Sequence, residues 1–281
     1  MRVDIGDGCR LFFDVVGSGL EPTDTAMVDR PTLLLLHGGP GFDHSLFRPY
    51  FDRFADTHQV IYLDHRGQGR SDQRRDPSGW DLDTWADDVV RFCDAVGIEH
   101  PAVLGGSFGG FVAIRYAARH PGHPSRLVLA STLARRDTEL TARRFQERGG
   151  PEAATSYRRI YVDHDLSPEA WAEYMTRNMP LYNNRPAPFG PERAWTNLRV
   201  TQHFDAHFAD MDLRGDVARI VAPTLVLAGR DDPMAPHEAA AEIAALLPAG
   251  TGRFEIIDGA GHGTFRDQPE RTEQVLRDFL G

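Results

Sequence analysis

Six short runs of unbroken apolar residues constrain the fold more than any other feature of this chain. They are TLLLLHGG (32–39), HQVIYLD (58–64), PAVLGGS (101–107), RLVLAST (126–132), PTLVLAG (223–229) and RFEIIDG (253–259). Each ends at Gly or a polar residue. Apolarity that is continuous rather than alternating means a strand covered on both faces, as in a central parallel sheet. Helical patterns separate the runs. Residues 81–96 put Trp85, Val89, Phe92 and Val96 on one stripe, 108–119 follow the third run directly, and 237–247 and 269–280 come last. The first 16 residues read as an antiparallel hairpin at the sheet edge. Strands alternating with helices predict a doubly wound, mostly parallel α/β sheet.

The alternation breaks over 133–215. That stretch is helical in pattern, rich in Arg and aromatics, and holds no convincing strand. Ser167 before Pro168 and Glu169 marks a helix start, with Ser as N-cap and Pro at the first helical position. We expect a helical cap, 133–215, inserted into a core made of 1–132 and 216–281. Ligands of open α/β sheets bind at the carboxyl edge of the strands, so such a cap would roof the pocket.

Composition removes whole classes of function. The 41 acidic against 31 basic residues give a formal charge of −10, which disfavours nucleic acid and anionic membrane as partners. All the basic residues are Arg; there is no lysine. That excludes a Schiff-base lysine, a Ser-Lys dyad, a pyridoxal-phosphate enzyme and a Walker A loop, each of which needs an ammonium. No apolar run approaches the 18 or so residues of a membrane helix. No signal-peptide pattern opens the chain, so a cytoplasmic setting is expected. The two cysteines, Cys9 and Cys93, have no redox or metal-motif spacing, and Cys93 reads as a buried thiol.

Of nine serines, one has special surroundings. Ser107 lies in Gly105-Gly106-Ser107-Phe108-Gly109-Gly110, between a strand and a helix. A serine on such a sharp turn exposes its hydroxyl, and the flanking glycines avoid clashes with the neighbouring elements. The helix N-terminus beyond it favours developing negative charge. A serine needs a base, and the base an orienting acid. Among 12 histidines, His262 follows the last strand behind Gly259, Ala260 and Gly261, small residues that allow close passage. The acid should fall between the two, at Gly229-Arg230-Asp231-Asp232, where chemistry alone leaves two adjacent aspartates open. An oxyanion needs two N–H donors. The amide of Phe108 is one candidate. Gly39, in His37-Gly38-Gly39-Pro40-Gly41, is the other. The second Gly-rich run, 64–71, lacks a complete phosphate fingerprint and reads as a structural turn. His203 and His207 have zinc spacing but no third ligand, so we assign no metal, and the proposed chemistry needs no cofactor.

HGGPG at 37–41, D-x-RGxGxS at 64–71, GGSFGG at 105–110, GRDD at 229–232 and GAGH at 259–262 come in the order and spacing of the α/β-hydrolase superfamily. The chain resembles that superfamily over nearly its whole length. The resemblance implies the α/β-hydrolase fold and a Ser107, Asp232, His262 triad, since the acid stands three residues after the glycine of its motif. HGGPG with D-x-RGxGxS resembles the proline iminopeptidase group in particular. Two departures stand out. His65 replaces the usual Gln, and Val200-Thr201-Gln202-His203-Phe204 lacks the acid that precedes the matching element. Glu169, Glu173, Glu192 and Asp205 remain in the cap, but none is placed at a substrate amine. A buried cationic amine needs a carboxylate.

The expected function is therefore a serine hydrolase acting on a small ester, lactone or amide. A proline iminopeptidase-like aminopeptidase is the alternative, and a non-catalytic ligand-binding protein on the same frame is the alternative of another class. Expected partners are a small molecule or short peptide. Trp171, Met175 and Met179, at i, i+4 and i+8, either line the pocket or pack the cap onto the core.

Overall fold

The computed structural model describes residues 1–73, 76–185, 194–208 and 211–281. Ten strands and nine α-helices are found among them. The strands are β1 (Arg2–Asp4), β2 (Arg10–Val16), β3 (Leu20–Pro22), β4 (Met27–Asp29), β5 (Thr32–Leu36), β6 (Gln59–Leu63), β7 (Ala102–Gly106), β8 (Arg126–Ala130), β9 (Thr224–Gly229) and β10 (Gly252–Ile257). The helices are α1 (Leu82–Val96), α2 (Phe108–Arg119), α3 (Thr138–Tyr161), α4 (Pro168–Arg177), α5 (Leu198–Phe208), α6 (Arg214–Val217), α7 (His237–Leu246), α8 (Thr264–Asp267) and α9 (Pro269–Leu280).

Eight strands form one sheet in the order β1-β2-β6-β5-β7-β8-β9-β10. From β6 to β10 every pairing is parallel, while β1 and β2 add an antiparallel edge. The expected doubly wound sheet of the α/β-hydrolase fold is thus present. Along β5 the side chains split as the unbroken apolar pattern demands. Leu34 and Leu36 join Trp85, Val89 and Val112 on one face. Leu33 and Leu35 join Phe51, Phe54, Val275 and Leu276 on the other. The strand order reverses at β5, with β6 on one side and β7 on the other. The carboxyl ends of β5 and β7 therefore lie side by side, with Leu36 opposite Gly105. That is the switch point where a ligand crevice opens.

Between β8 and β9 the chain leaves the sheet for α3, α4 and α5. Gly150, with φ 80°, interrupts α3 just before Pro151. Ser167 caps α4 through its hydroxyl, which accepts the Ala170 N–H at 3.3 Å, with Pro168 behind it. A third apolar cluster forms here around Phe145, Tyr157, Ile160 and Tyr174. The hairpin of β3 and β4 is an element the sequence reading did not anticipate. All six of its residues are exposed, so it carries no burial period to read.

Candidate active site

Ser107 is the single residue between β7 and α2, and its backbone is strained, with φ 54° and ψ −119°. A residue with a Cβ rarely adopts that conformation, and such strain persists only where the surroundings hold it. Here they do. The Ser107 N–H donates to the Ala130 carbonyl at 2.9 Å, and the Ser107 carbonyl accepts the Thr132 hydroxyl at 2.8 Å. Gly109 lets α2 start against β5, since a Cβ there would lie 2.0 Å from the Leu36 carbonyl oxygen.

His262 lies in the loop after β10. Its N–H donates to the Tyr182 carbonyl at 2.7 Å, and the Tyr182 ring meets its imidazole edge-on at 5.1 Å. Its Nδ1 stands 2.8 Å from Asp232 Oδ2. Asp232 is buried, and its Oδ1 accepts the N–H groups of Met234 and Ala235 at 2.8 and 3.0 Å. The neighbouring Asp231 turns elsewhere and accepts the Asn184 amide at 2.8 Å. Geometry thus separates two aspartates that residue chemistry left equivalent.

Ser107 and His262 line one cavity of about 190 Å³ at the carboxyl edge of the sheet. Gly38 and Gly39 line it too, and a Cβ on Gly38 would approach the Ser107 Cβ to 3.2 Å. Phe108 packs below the cavity, its ring 5.1 Å from both Trp85 and Phe204. Among the described residues, neither the Gly39 nor the Phe108 N–H has a hydrogen-bond acceptor. Trp171, Met175 and Met179 all reach the cavity wall, while Trp171 and Met179 also pack on the third cluster.

Of the acidic residues named in the 133–215 segment, Asp205 reaches the cavity. It stands just after the 200–204 element. One helical turn separates Asp205 from Thr201 on α5, so both face the same space. Asp205 is 6% exposed, and among the described residues its Oδ2 has no hydrogen-bond partner. Burial pushes its carboxyl up to about 7, with the nearby Arg136 guanidinium pulling the other way. Glu169 is exposed and Glu173 pairs with Arg159 at 3.0 Å. Glu192 lies outside the described residues.

A family model described as the alpha/beta hydrolase fold matches residues 31–269. This chain belongs to that family. The α/β hydrolase is 29% identical to the AB hydrolase superfamily protein YisY of Bacillus subtilis (strain 168), over 96% of this chain and 94% of that one. Its structure is similar to an esterase (EaEST) from Exiguobacterium antarcticum, with TM-score 0.75, 20% identity, and coverage of 100% and 98%. It is equally similar to the proline iminopeptidase of Mycobacterium smegmatis, with TM-score 0.75, 21% identity, and coverage of 100% and 97%. The fold alone therefore does not separate esterase from iminopeptidase.

The other motifs of the α/β hydrolase are structural. Arg66 grips Asp88 through two bonds of 2.7 and 2.6 Å, and Asp64 accepts the Arg70 N–H at 2.8 Å. His65, at the position where Gln is usual, is buried 4.6 Å from the His37 ring and edge-on to Phe108. Burial drives its pKa well below the usual imidazole value, so it is neutral at pH 7. His203 lies edge-on to Trp80, and the His207 side chain is outside the described set. Among the described residues, no three His, Cys, Asp or Glu side chains are placed to hold a metal. No described helix is long and apolar enough to cross a membrane. The sequence reading missed Gln68, Asn197 and Thr201, whose contacts with the 37–41 loop are taken up below.

Proposed function

We propose that this α/β hydrolase cleaves a small ester, lactone or amide through an acyl-enzyme on Ser107. The observation that carries the reading is the 2.8 Å contact of His262 Nδ1 with buried Asp232, beside a strained Ser107 on the same cavity. In this mechanism Ser107 Oγ attacks the substrate carbonyl and His262 Nε2 takes its proton. Asp232 holds the imidazole in the tautomer that leaves Nε2 able to accept. The N–H groups of Gly39 and Phe108 receive the oxyanion. His262 then protonates the leaving group and activates the water that frees the acid. Residues 133–215 serve as the cap over a core of 1–132 and 216–281. The wall of the cavity around Ser107 is mostly apolar, which suits apolar substituents.

Asp205 favours a second reading, release of an N-terminal residue. Its Oδ2, without a hydrogen-bond partner among the described residues, is a ready acceptor for a substrate ammonium, and such a partner would hold it ionised. A fluorophosphonate probe and a substrate panel test both. The probe should label the protein and fail on Ser107→Ala, with kcat/KM falling about 10⁴-fold or more. Short acyl esters and lactones should turn over faster than proline amides. Equal labelling of Ser107→Ala would sink the nucleophile. Efficient proline release, lost in Asp205→Asn while ester turnover persists, would establish the second reading instead. Probe labelling without turnover of any panel member would leave the binding protein.

A further inference from the structure

The loop that carries Gly39 is held from the cap side. The Thr201 hydroxyl donates to the Pro40 carbonyl at 2.8 Å, and both atoms are buried. The Asn197 N–H donates to the Gly41 carbonyl at 2.6 Å. From beneath, Gln68 Oε1 accepts the Gly41 N–H at 2.6 Å. The Asn197 amide also reaches back to the core, donating to the Gly67 carbonyl and to Gln73 Oε1 at 2.8 Å each. No slack remains in this joint. Gly41 has φ +88°, and a Cβ there would meet Thr201 Oγ1 at 2.5 Å and the Asn197 carbonyl at 2.6 Å. On its other face α5 is anchored by Val200 and Phe204, the latter packed against Phe108. One helix thus touches both segments that would supply oxyanion N–H groups.

From this juxtaposition we infer that Thr201 is a positioning residue for the oxyanion site: through Pro40 it fixes where the Gly39 N–H points. The inference rests on Ser107 as nucleophile and Gly39 as donor. An oxyanion donor works only when preset about 2.7–3.1 Å from the developing charge. A five-residue loop rich in glycine does not fix itself to that tolerance. The carbonyl bonds from Thr201 and Asn197 supply what the loop lacks. It follows that the cap does not swing away as a free lid during turnover, because lifting α5 would release Pro40 and Gly41 and undo the oxyanion site.

The test is steady-state kinetics of the full chain on an ester that the parent cleaves. Thr201→Val keeps the shape and removes the hydroxyl. We expect kcat to fall about 10- to 100-fold with KM changed less than about threefold, the mark of an interaction used in the transition state. Thr201→Ser should restore most of kcat. Gly41→Ala, which presses on the same joint, should show the same split. A boronic acid, which forms a tetrahedral adduct on the serine, should lose affinity for Thr201→Val in proportion to kcat, while the product carboxylic acid should not. Melting by circular dichroism checks that the variants are folded. If Thr201→Val does not fold, the Thr201→Ser and Gly41→Ala pair carries the test. Unchanged kcat in the folded variants, or a rise in KM alone, would overturn the inference. Failure of the parent to react with a fluorophosphonate would instead overturn Ser107 itself, so the two failures are distinct.

Discussion

A buried carboxyl has a thermodynamic signature as well as a chemical use. Asp205 has its pKa raised by burial from 3.8 to about 7 in the folded protein. Between those values the unfolded chain gives up its proton before the folded one does. Stability therefore falls as pH rises from about 4 to about 7, and the cost stays in place above that. Three units at about 1.4 kcal/mol each make this of the order of 4 kcal/mol. Asp205→Asn should leave stability near that of the parent at pH 4 and raise it by a few kcal/mol at pH 8. Urea unfolding of both proteins at the two pH values measures the difference, and an equal pH dependence in both would contradict the burial. Single residues also mark where sequence reading stops. Ser107 announces itself through four surrounding glycines and Phe108. Asp232 differs from Asp231 by what it meets, His262 and two loop N–H groups rather than the Asn184 amide. Residue chemistry does not encode that; only the motif spacing that the resemblance implies separates them.

At the level of elements, the seat of α2 on the sheet decides whether a Ser107 turn can exist. A Cβ on Gly109 would press on the backbone of β5, and a Cβ on Gly105 would lie 2.3 Å from the Gly109 carbonyl oxygen, so neither neighbour can move aside. Gly97 closes α1 in the left-handed region, with φ +74°, but has open space where a Cβ would stand. Alanine at these two sites should behave differently. Gly97→Ala costs only the left-handed strain, about 1–2 kcal/mol. Gly109→Ala must part β5 from α2 and should cost more than about 3 kcal/mol, beyond ordinary overpacking. Thermal melts of the pair give the comparison, and similar losses would show that the α2 seat is softer than its geometry. Strands β5 to β9 were legible because both faces of each are buried and the pattern is unbroken. The hairpin of β3 and β4 was not, because nothing buries it. The role of α5 was hidden for a third reason. Its period shows a helix, but Thr201 matters through a carbonyl 161 positions earlier in the chain.

For the molecule as a whole, the cavity lies where all three apolar clusters meet, Phe111 and Leu133 bringing in the cluster on the other face of the sheet. Phe47, Phe51 and Leu276 come from the sheet face covered by α9, while Trp171, Tyr174 and Met179 come from the cluster of the helical segment. Ser107 stands between them on the cavity wall. The first cluster is fixed by the sheet and was readable in outline. The second depends on how α3 and α4 fold back, so the pocket's shape was not. Substrate size should accordingly be tunable from the helical side without touching the fold. Met179 is half-buried, flexible and in the wall, so a larger side chain there takes up space in the cavity rather than in the core. Met179→Trp should lower kcat/KM for long-chain or aryl esters about tenfold or more relative to acetyl esters, the scale on which a pocket discriminates one or two methylenes. Met179→Ala should move the ratio the other way. Labelling by a small fluorophosphonate should stay at the parent rate in both. A ratio that does not move in either variant would mean that the substrate occupies only the arm beneath the sheet edge, against Phe47 and Leu276, and that the helical segment closes the site without measuring what enters it.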